Sequence, residues 1–402
     1  MPFFKGRYIF ESDSSETRYL SSDFRISSVT TLKQFKDFFR VPWAVYKGDT
    51  YWVPPFWVEI RDFFMKKNLF WMHAETRLYV LYHKDQPVGR IAAFIDHKYR
   101  ETTGENVGFF GFFECIDDVK IATALFDASE QWFASKNITI MRGPINGRVD
   151  IGCGFLVEGF SSQPVLFSSY SPCYYLDFVE KYGMKKSRDQ LNYSIDLTRQ
   201  FPAEFVAAAK QCKEKGVLIR RFHHLRTEKE FSWLIPLYLQ TFSEHWGYIP
   251  VSLKEVKSRI GLPYLRWIVD YRFFLVAMVN HEPVAFLWAA PDYNQVFKTL
   301  DGNLRLREIV RFLLKKRTIT QGKLDIIGIK SIYRNKDIGS FLNFTALSEM
   351  KKRGYVKAEC GWIDEQNISS RKNIEKTGAT VSKRFRVYEK KIGPTVGLLR
   401  FT

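Results

Sequence analysis

The apolar run Leu324-Asp-Ile-Ile-Gly-Ile-Lys-Ser-Ile-Tyr333 leads into Arg334-Asn-Lys-Asp-Ile-Gly339 and then a helical stretch, Ser340 to Arg353. A strand, a basic glycine-bearing turn and a helix start together make a cradle for an anion. The first N–H groups of a helix lack an internal acceptor and sit at the positive end of its dipole. Backbone donors of Asn335, Lys336, Asp337, Ile338, Gly339 and Ser340 line this turn, and Arg334 and Lys336 add charge. The group expected here is a pyrophosphate. A strand-like run, Val356 to Trp362, is followed by a second helix start, Asn367-Ile-Ser-Ser-Arg-Lys-Asn373. Asn367, Ser370 and Asn373 there either contact the same ligand or cap the helix.

These residues resemble the GCN5-related N-acetyltransferase (GNAT) superfamily, whose acyl-CoA loop reads Gln/Arg-x-x-Gly-x-Gly/Ala. Arg334 and Gly339 match its first and last positions, and Asp337 replaces the middle glycine. A carboxylate facing a pyrophosphate would repel it, so Asp337 is expected to point away, into the first turn of the helix. In the second signature Asn367, Ser370, Glu375, Lys376 and Gly378 fit. Ile374 replaces the tyrosine that in the family often protonates the leaving thiolate, and Ala379 replaces an aromatic residue.

For acyl transfer to an amine, the thioester carbonyl needs a donor for its developing oxyanion. The resemblance implies a backbone N–H on the strand before the loop, at Ile329 or Lys330. The attacking amine must be neutral, which calls for a base. Glu114, Glu244 and His245 are the candidates, each with a structural alternative as a cap, ion-pair member or packed ring. Tyr174 and Tyr175 are the phenols available in place of the missing acid.

The chain has 402 residues, 46% hydrophobic and 26% charged, which is a globular composition with room for two domains. Its 36 phenylalanines require large cores, a greasy channel, or both. Five scattered cysteines and seven histidines show no metal-ligand spacing, so neither zinc nor another metal is expected. The first twenty residues are polar, and no apolar run reaches the ~20 residues that span a bilayer. A cytoplasmic location follows as the expectation, with peripheral contact at the inner membrane face as a further option. The net charge of +18 implies anionic partners. These are acyl-CoA, an acyl carrier protein, or an anionic membrane. Nucleic acid ranks last, because no nucleic-acid-binding signature accompanies the charge.

Residues 1–23 read as a polar leader, 24–197 as a diverged domain, and 198–402 as the domain carrying the loop. In the first, a short helix from Leu32 to Phe39 precedes a packed aromatic loop from Val41 to Glu59. The strands Thr76–Tyr82 and Val88–Ile95 form a hairpin with a turn of four to five residues, His83 to Pro87. Asp118 caps a helix from Val119, and residues 147–169 read as an ordered flap. Glu180-Lys-Tyr-Gly-Met184 echoes Glu375-Lys-Thr-Gly-Ala379, so the chain reads as a tandem repeat. The first copy has lost the phosphate loop, with Ile116-Asp-Asp-Val-Lys-Ile121 in its place. In the second copy, helices are expected at Leu253–Ile260 and Leu304–Arg317. The latter gathers Leu306, Ile309, Val310, Leu313 and Leu314 in an arc of ~140° beside five basic residues. It either packs that arc on the domain or lies on an anionic membrane.

Val41-Pro42-Trp43, Val88-Gly89-Arg90-Ile91-Ala92, Gly108-Phe109-Phe110-Gly111, Arg142-Gly143-Pro144 and Trp246-Gly247-Tyr248 with Pro250 resemble a bacterial family of two-domain GNAT-like proteins. The resemblance runs from about Phe35 to Val387. Some relatives are linked to N-acylation of a long-chain base in ceramide synthesis. The implied fold class is α/β (α+β), with tandem GNAT-like acyl-CoA N-acyltransferase domains, each a mixed sheet flanked by helices. The implied activity is acyl-CoA-dependent transfer to an amine, a lipid or long-chain amine among the options. The alternatives are a non-catalytic module that binds acyl-CoA, a carrier protein or a membrane, and aminoacyl transfer from tRNA.

Overall fold

The computed structural model describes residues 6–10, 16–149, 151–243, 245–250, 252, 254–255 and 269–393. The chain forms two units. The first comprises Met1–Asp189, Leu300–Arg305 and Phe385–Thr402, the second Gln190–Thr299 and Leu306–Arg384. The divisions between Asp189 and Gln190 and between Arg384 and Phe385 both fall inside strands.

In chain order, the first unit contains β1 (Thr17–Tyr19), β2 (Phe24–Ser28), α1 (Leu32–Val45), α2 (Trp57–Phe63), β3 (Ala74–His83) and β4 (Gln86–Asp96). Next come α3 (His97–Thr103), β5 (Val107–Cys115), α4 (Val119–Ser135), β6 (Ile140–Gly143), β7 (Phe155–Glu158), α5 (Tyr174–Lys181) and the start of β8 (Lys185–Asp196). Strands β1 to β6 pair in sequence order, all antiparallel except the parallel pair β5–β6. Helix α4 packs Leu125, Phe126 and Phe133 on one face. On the other, α1 buries Phe35, Phe38 and Phe39 completely. Tyr8 and Phe10 of the leader stack near Phe35 in this second core, so the leader is not merely polar. Much of the phenylalanine load therefore fills a closed core, where each ring contributes roughly 1.5–3 kcal/mol by leaving water.

The second unit holds the end of β8, then α6 (Ala203–Glu214), β9 (Leu218–Arg221), α7 (Thr227–Phe242), β10 (Phe274–Val279), β11 (Glu282–Pro291) and α8 (Asn294–Phe297). They are followed by α9 (Leu306–Lys315), β12 (Gln321–Ile329), α10 (Ile338–Lys352), β13 (Lys357–Asp364), α11 (Ile368–Glu375) and β14 (Thr380–Lys391), which ends in the first unit. Its sheet runs β8-β13-β12-β11-β10-β9, antiparallel except at β12–β13. Helices α6 and α10 cover one face, and α7 packs on β11 and β12. The sequence reading has no α6, although Phe205, Ala208, Ala209 and Cys212 give it an apolar stripe at helical spacing. The expected helix at 253–260 lies outside the described residues, apart from 254–255.

Two local expectations are corrected. The β3–β4 turn is the two-residue Lys84-Asp85 with both φ positive, at 46° and 66°, and Pro87 pairs with Tyr82 in the ladder. That turn matches the twist of the strands. Asn280-His281 repeats it between β10 and β11. Helix α1 also runs past Phe39 and through Pro42. A proline there removes the N–H that would bond the carbonyl of Phe38, and Arg90 Nη1 donates to that carbonyl at 3.1 Å instead.

Candidate active site

Strands β12 and β13 run in parallel register only from Gln321↔Lys357 to Leu324↔Cys360. On the other edge of β12, Ala289 faces Leu324 and Trp288 faces Ile326, so Asp325 is an extra, bulged residue. A bulge bends its strand and raises its twist. Here it coincides with the point where β12 leaves β13, so the strand end Ile326–Ile329 has β11 on one edge and a parted neighbour on the other. The first unit repeats the device. Pairing of β5 with β6 ends at Phe109↔Arg142, and β5 then carries one residue more than β4, with Phe112 at φ 45°. There, however, the gap is bridged: Ile145 N–H donates to the Phe110 carbonyl at 2.7 Å, and Phe112 N–H donates to Asn146 Oδ1 at 2.8 Å.

The register separates the two oxyanion candidates. Lys330 N–H donates to the Val284 carbonyl at 3.0 Å. With Ala285 opposite Ile329, this bond makes 285/329 the pair that exchanges no hydrogen bond. Ile329 N–H therefore points to the edge from which β13 has departed.

After a short turn, Ser331–Tyr333, the chain passes through Arg334, Asn335 at φ 59° and Asp337 at φ 58° into α10. Its first internal hydrogen bond is Phe341 N–H to the Asp337 carbonyl at 2.9 Å, and no side chain caps the helix. The N–H groups of Ile338, Gly339 and Ser340 precede that bond. Helix α4 at the equivalent place is closed by Asp118, whose Oδ1 accepts from Lys120 N–H at 2.8 Å. Asp337 instead turns its carboxylate to Lys376 Nζ at 3.0 Å. The carboxylate thus pairs with Lys376 rather than capping the first turn of α10. Lys336 Nζ lies 5.2 Å from the Tyr333 ring centroid.

Gly339 faces α11, where an added Cβ would stand 2.9 Å from Asn373 Nδ2. Asn373 Oδ1 is also 3.4 Å from Ser340 Oγ. Asn367 Oδ1 accepts from Ser370 N–H at 3.1 Å and so caps α11. Helix α11 is further held by the buried Tyr193, which donates to Glu375 at 2.8 Å and accepts from Arg371.

Strands β12 and β13 also carry charges that sequence reasoning passed over. Lys323 is buried and 2.6 Å from Asp325. Glu359, beside Lys323 in the register, is buried and pairs with Lys357 at 2.7 Å. Lys383 is fully buried, and desolvation pulls its ammonium down to about 8, against the opposing field of Glu359. The signal was present as Lys323 and Asp325 in an otherwise apolar strand. Their burial was not, because nothing in the pattern says which face is covered.

Glu114, Tyr174 and Tyr175 belong to the first unit and His245 to the second. Glu114, on β5, faces Arg90 across the ladder and accepts from its Nε. Arg90 is 2% exposed, so Glu114 supplies the counter-charge to the cation that Pro42 calls for. Tyr174 and Tyr175 bond the backbone of Cys115. His245 is exposed, with its ring edge-on to Phe242 at 4.7 Å. Glu244 lies outside the described residues. Among the described residues, no three metal-ligating side chains converge.

No family model matches the chain. The chain is 28% identical over 385 residues to Protein YghO of Escherichia coli (strain K12), covering 94% of this chain and 97% of that protein. It is 27% identical over 378 residues to a protein named Bacterial ceramide synthase of Caulobacter vibrioides (strain NA1000 / CB15N), covering 92% and 98% respectively. Among solved structures, a tandem GNAT protein from the clavulanic acid biosynthesis pathway matches with a TM-score of 0.55 at 11% identity, over 93% of this chain and all of that one. The parted parallel strands, the bulge and the uncapped helix thus belong to a tandem GNAT fold.

Proposed function

We propose that the chain is an acyl-CoA-dependent N-acyltransferase whose second unit holds the CoA diphosphate. The observation that carries this reading is the uncapped start of α10, directly after a strand that leaves its parallel neighbour. Unpaired N–H groups there suit a diphosphate, and Arg334 and Lys336 stand in the same turn. Ile329 N–H is the donor assigned to the thioester oxygen. The neutral amine attacks the carbonyl carbon, and a C–N bond forms. Collapse of the oxyanion breaks the C–S bond. CoA leaves as a thiolate that takes a proton from solvent. The proton lost by the amine is assigned to Asp325, the one carboxylate of β12. Similarity over nearly the whole chain to a protein named Bacterial ceramide synthase supports a long-chain amine as acceptor.

Calorimetric titration with acetyl-CoA and palmitoyl-CoA tests the binding step. Both are expected to bind, and Gly339→Arg is expected to abolish binding, because its side chain displaces Asn373 at the diphosphate turn. Absence of binding to both, with the wild-type fold intact by circular dichroism, removes the proposal. Thiol release with a long-chain amine tests turnover. Binding without release leaves a non-catalytic acyl-CoA module.

A further inference from the structure

Helix α9 turns its apolar arc outward. Leu306 is 79% exposed, Leu314 73%, Val310 48% and Leu313 37%. At ~100° per residue these four positions fall within a single arc of ~100°. The opposite side of the helix faces the protein. Phe312 is buried against Tyr293 and Phe297, at ring distances of 5.4 and 5.6 Å. Glu308 is buried and held by Arg307, and Arg311 Nη1 donates to the Thr299 carbonyl at 2.8 Å. The helix is therefore fixed by its polar side and by one phenylalanine, and it leaves its leucines uncovered. Packing of the apolar arc on the domain, one of the two sequence-based expectations, does not occur at these four positions.

Exposed cations stand at both ends of the helix. Arg305, Arg307, Lys315, Lys316 and Arg317 are all exposed. A helix with outward leucines and exposed Lys and Arg at both of its ends fits the boundary between headgroups and acyl chains of an anionic bilayer. The leucines enter the acyl region, while the long basic side chains reach back to the phosphates. An apolar partner protein would satisfy the leucines but offer no counter-charge to Arg305, Lys315, Lys316 and Arg317. We propose that α9 seats the protein on an anionic lipid surface. No described helix is long and apolar enough to cross a membrane, so this contact is peripheral.

The test is flotation of the full chain with phosphatidylcholine vesicles and with vesicles in which one lipid in three is phosphatidylglycerol. It needs no acyl transfer, so it stands or falls separately from the proposed reaction. The wild type is expected to float with the anionic vesicles only, and less so at high salt. Leu306→Asp/Leu314→Asp is expected to lower the bound fraction about tenfold or more, since each leucine loses its apolar transfer. Its melting temperature should be that of the wild type, because both side chains are exposed. Equal flotation with neutral and anionic vesicles overturns the proposal, as does a double variant that floats like the wild type. A wild-type dimer that the double variant splits, with vesicle binding unchanged, assigns the face to a second copy of the chain and also overturns it.

Discussion

Replacing Asp337 by glycine tests whether a diphosphate sits at the start of α10. Asp337 is the N-cap, with φ 58° and ψ 10°, a left-handed conformation. Glycine adopts it freely, whereas other residues bear roughly 1 kcal/mol or more, Asp being among the more tolerant. Three losses oppose that relief. The Lys376 pair, with both side chains more than a third exposed, contributes roughly 0.2–1 kcal/mol. A carboxylate at the positive end of a helix contributes about 0.3–1 kcal/mol. Glycine also adds about 0.4–1 kcal/mol of unfolded-state freedom. Stability should therefore fall by no more than about 2 kcal/mol, which leaves the fold intact. Binding has no such compensation. A carboxylate within a Debye length of a diphosphate repels it, and at an effective dielectric constant of roughly 40–80 its removal relieves on the order of 1 kcal/mol per unit of phosphate charge. Lys376 is released at the same time. CoA should bind about 3–10-fold more tightly at low salt, with the gain shrinking as salt rises. Titration calorimetry of wild type and Asp337→Gly at two ionic strengths reads this directly. Unchanged or weaker CoA binding at low salt, in a variant that melts cooperatively, refutes the placement.

Three further outcomes follow from the same geometry. Glu114→Ala leaves the buried Arg90 without its counter-charge and should cost about 3 kcal/mol in urea denaturation. Arg90→Leu/Glu114→Leu should recover only part of this, because the Phe38 carbonyl then loses its donor; a Glu114→Ala variant as stable as wild type would contradict the role. Asp118→Ala should cost about 1 kcal/mol as a lost cap, measured the same way, while CoA affinity stays unchanged. Lys383 binds its proton less readily in the folded chain, at about 8 against an ordinary 10.5. The unfolded chain therefore holds more protons between those values, and stability should rise with pH across that window, by about 3 kcal/mol at most from this group. Below it the burial penalty is constant. The stability difference between wild type and Lys383→Met should move in favour of the wild type by about 2 kcal/mol from pH 7 to pH 10. A difference that is flat with pH would show that Lys383 is not desolvated.

Much of the architecture was legible because it depends on local periodicity. The strands around the Arg334–Gly339 turn, the Asp118 cap and the hairpins of both units follow from alternation, capping chemistry and turn residues. The Glu180–Met184 and Glu375–Ala379 echo reappears as two helix ends closed by left-handed glycines, Gly183 at φ 83° and Gly378 at φ 85°. The two-residue turn at Lys84-Asp85 was missed because a proline two positions later reads as loop, yet an antiparallel ladder accepts it at a position that needs no N–H. Continuation of α1 through Pro42 was missed because the donor that repairs it, Arg90, is 52 residues away from Phe38.

By itself the sequence pointed to Arg334–Ser340 as the segment expected to cradle an anion. It also marked the first copy as the one whose equivalent helix closes on its own carboxylate, since cap, glycine and basic turn act within a few residues. Only the tertiary structure decided that Ile329 rather than Lys330 presents its N–H to the opening, because that depends on which partner β11 offers across the ladder. It likewise decided that Glu114 neutralises Arg90, that Lys323, Glu359 and Lys383 are shielded from water, and that the leucines of α9 face outward. Register, burial and the facing of a helix are set by contacts between residues far apart in the chain, and no local pattern encodes them.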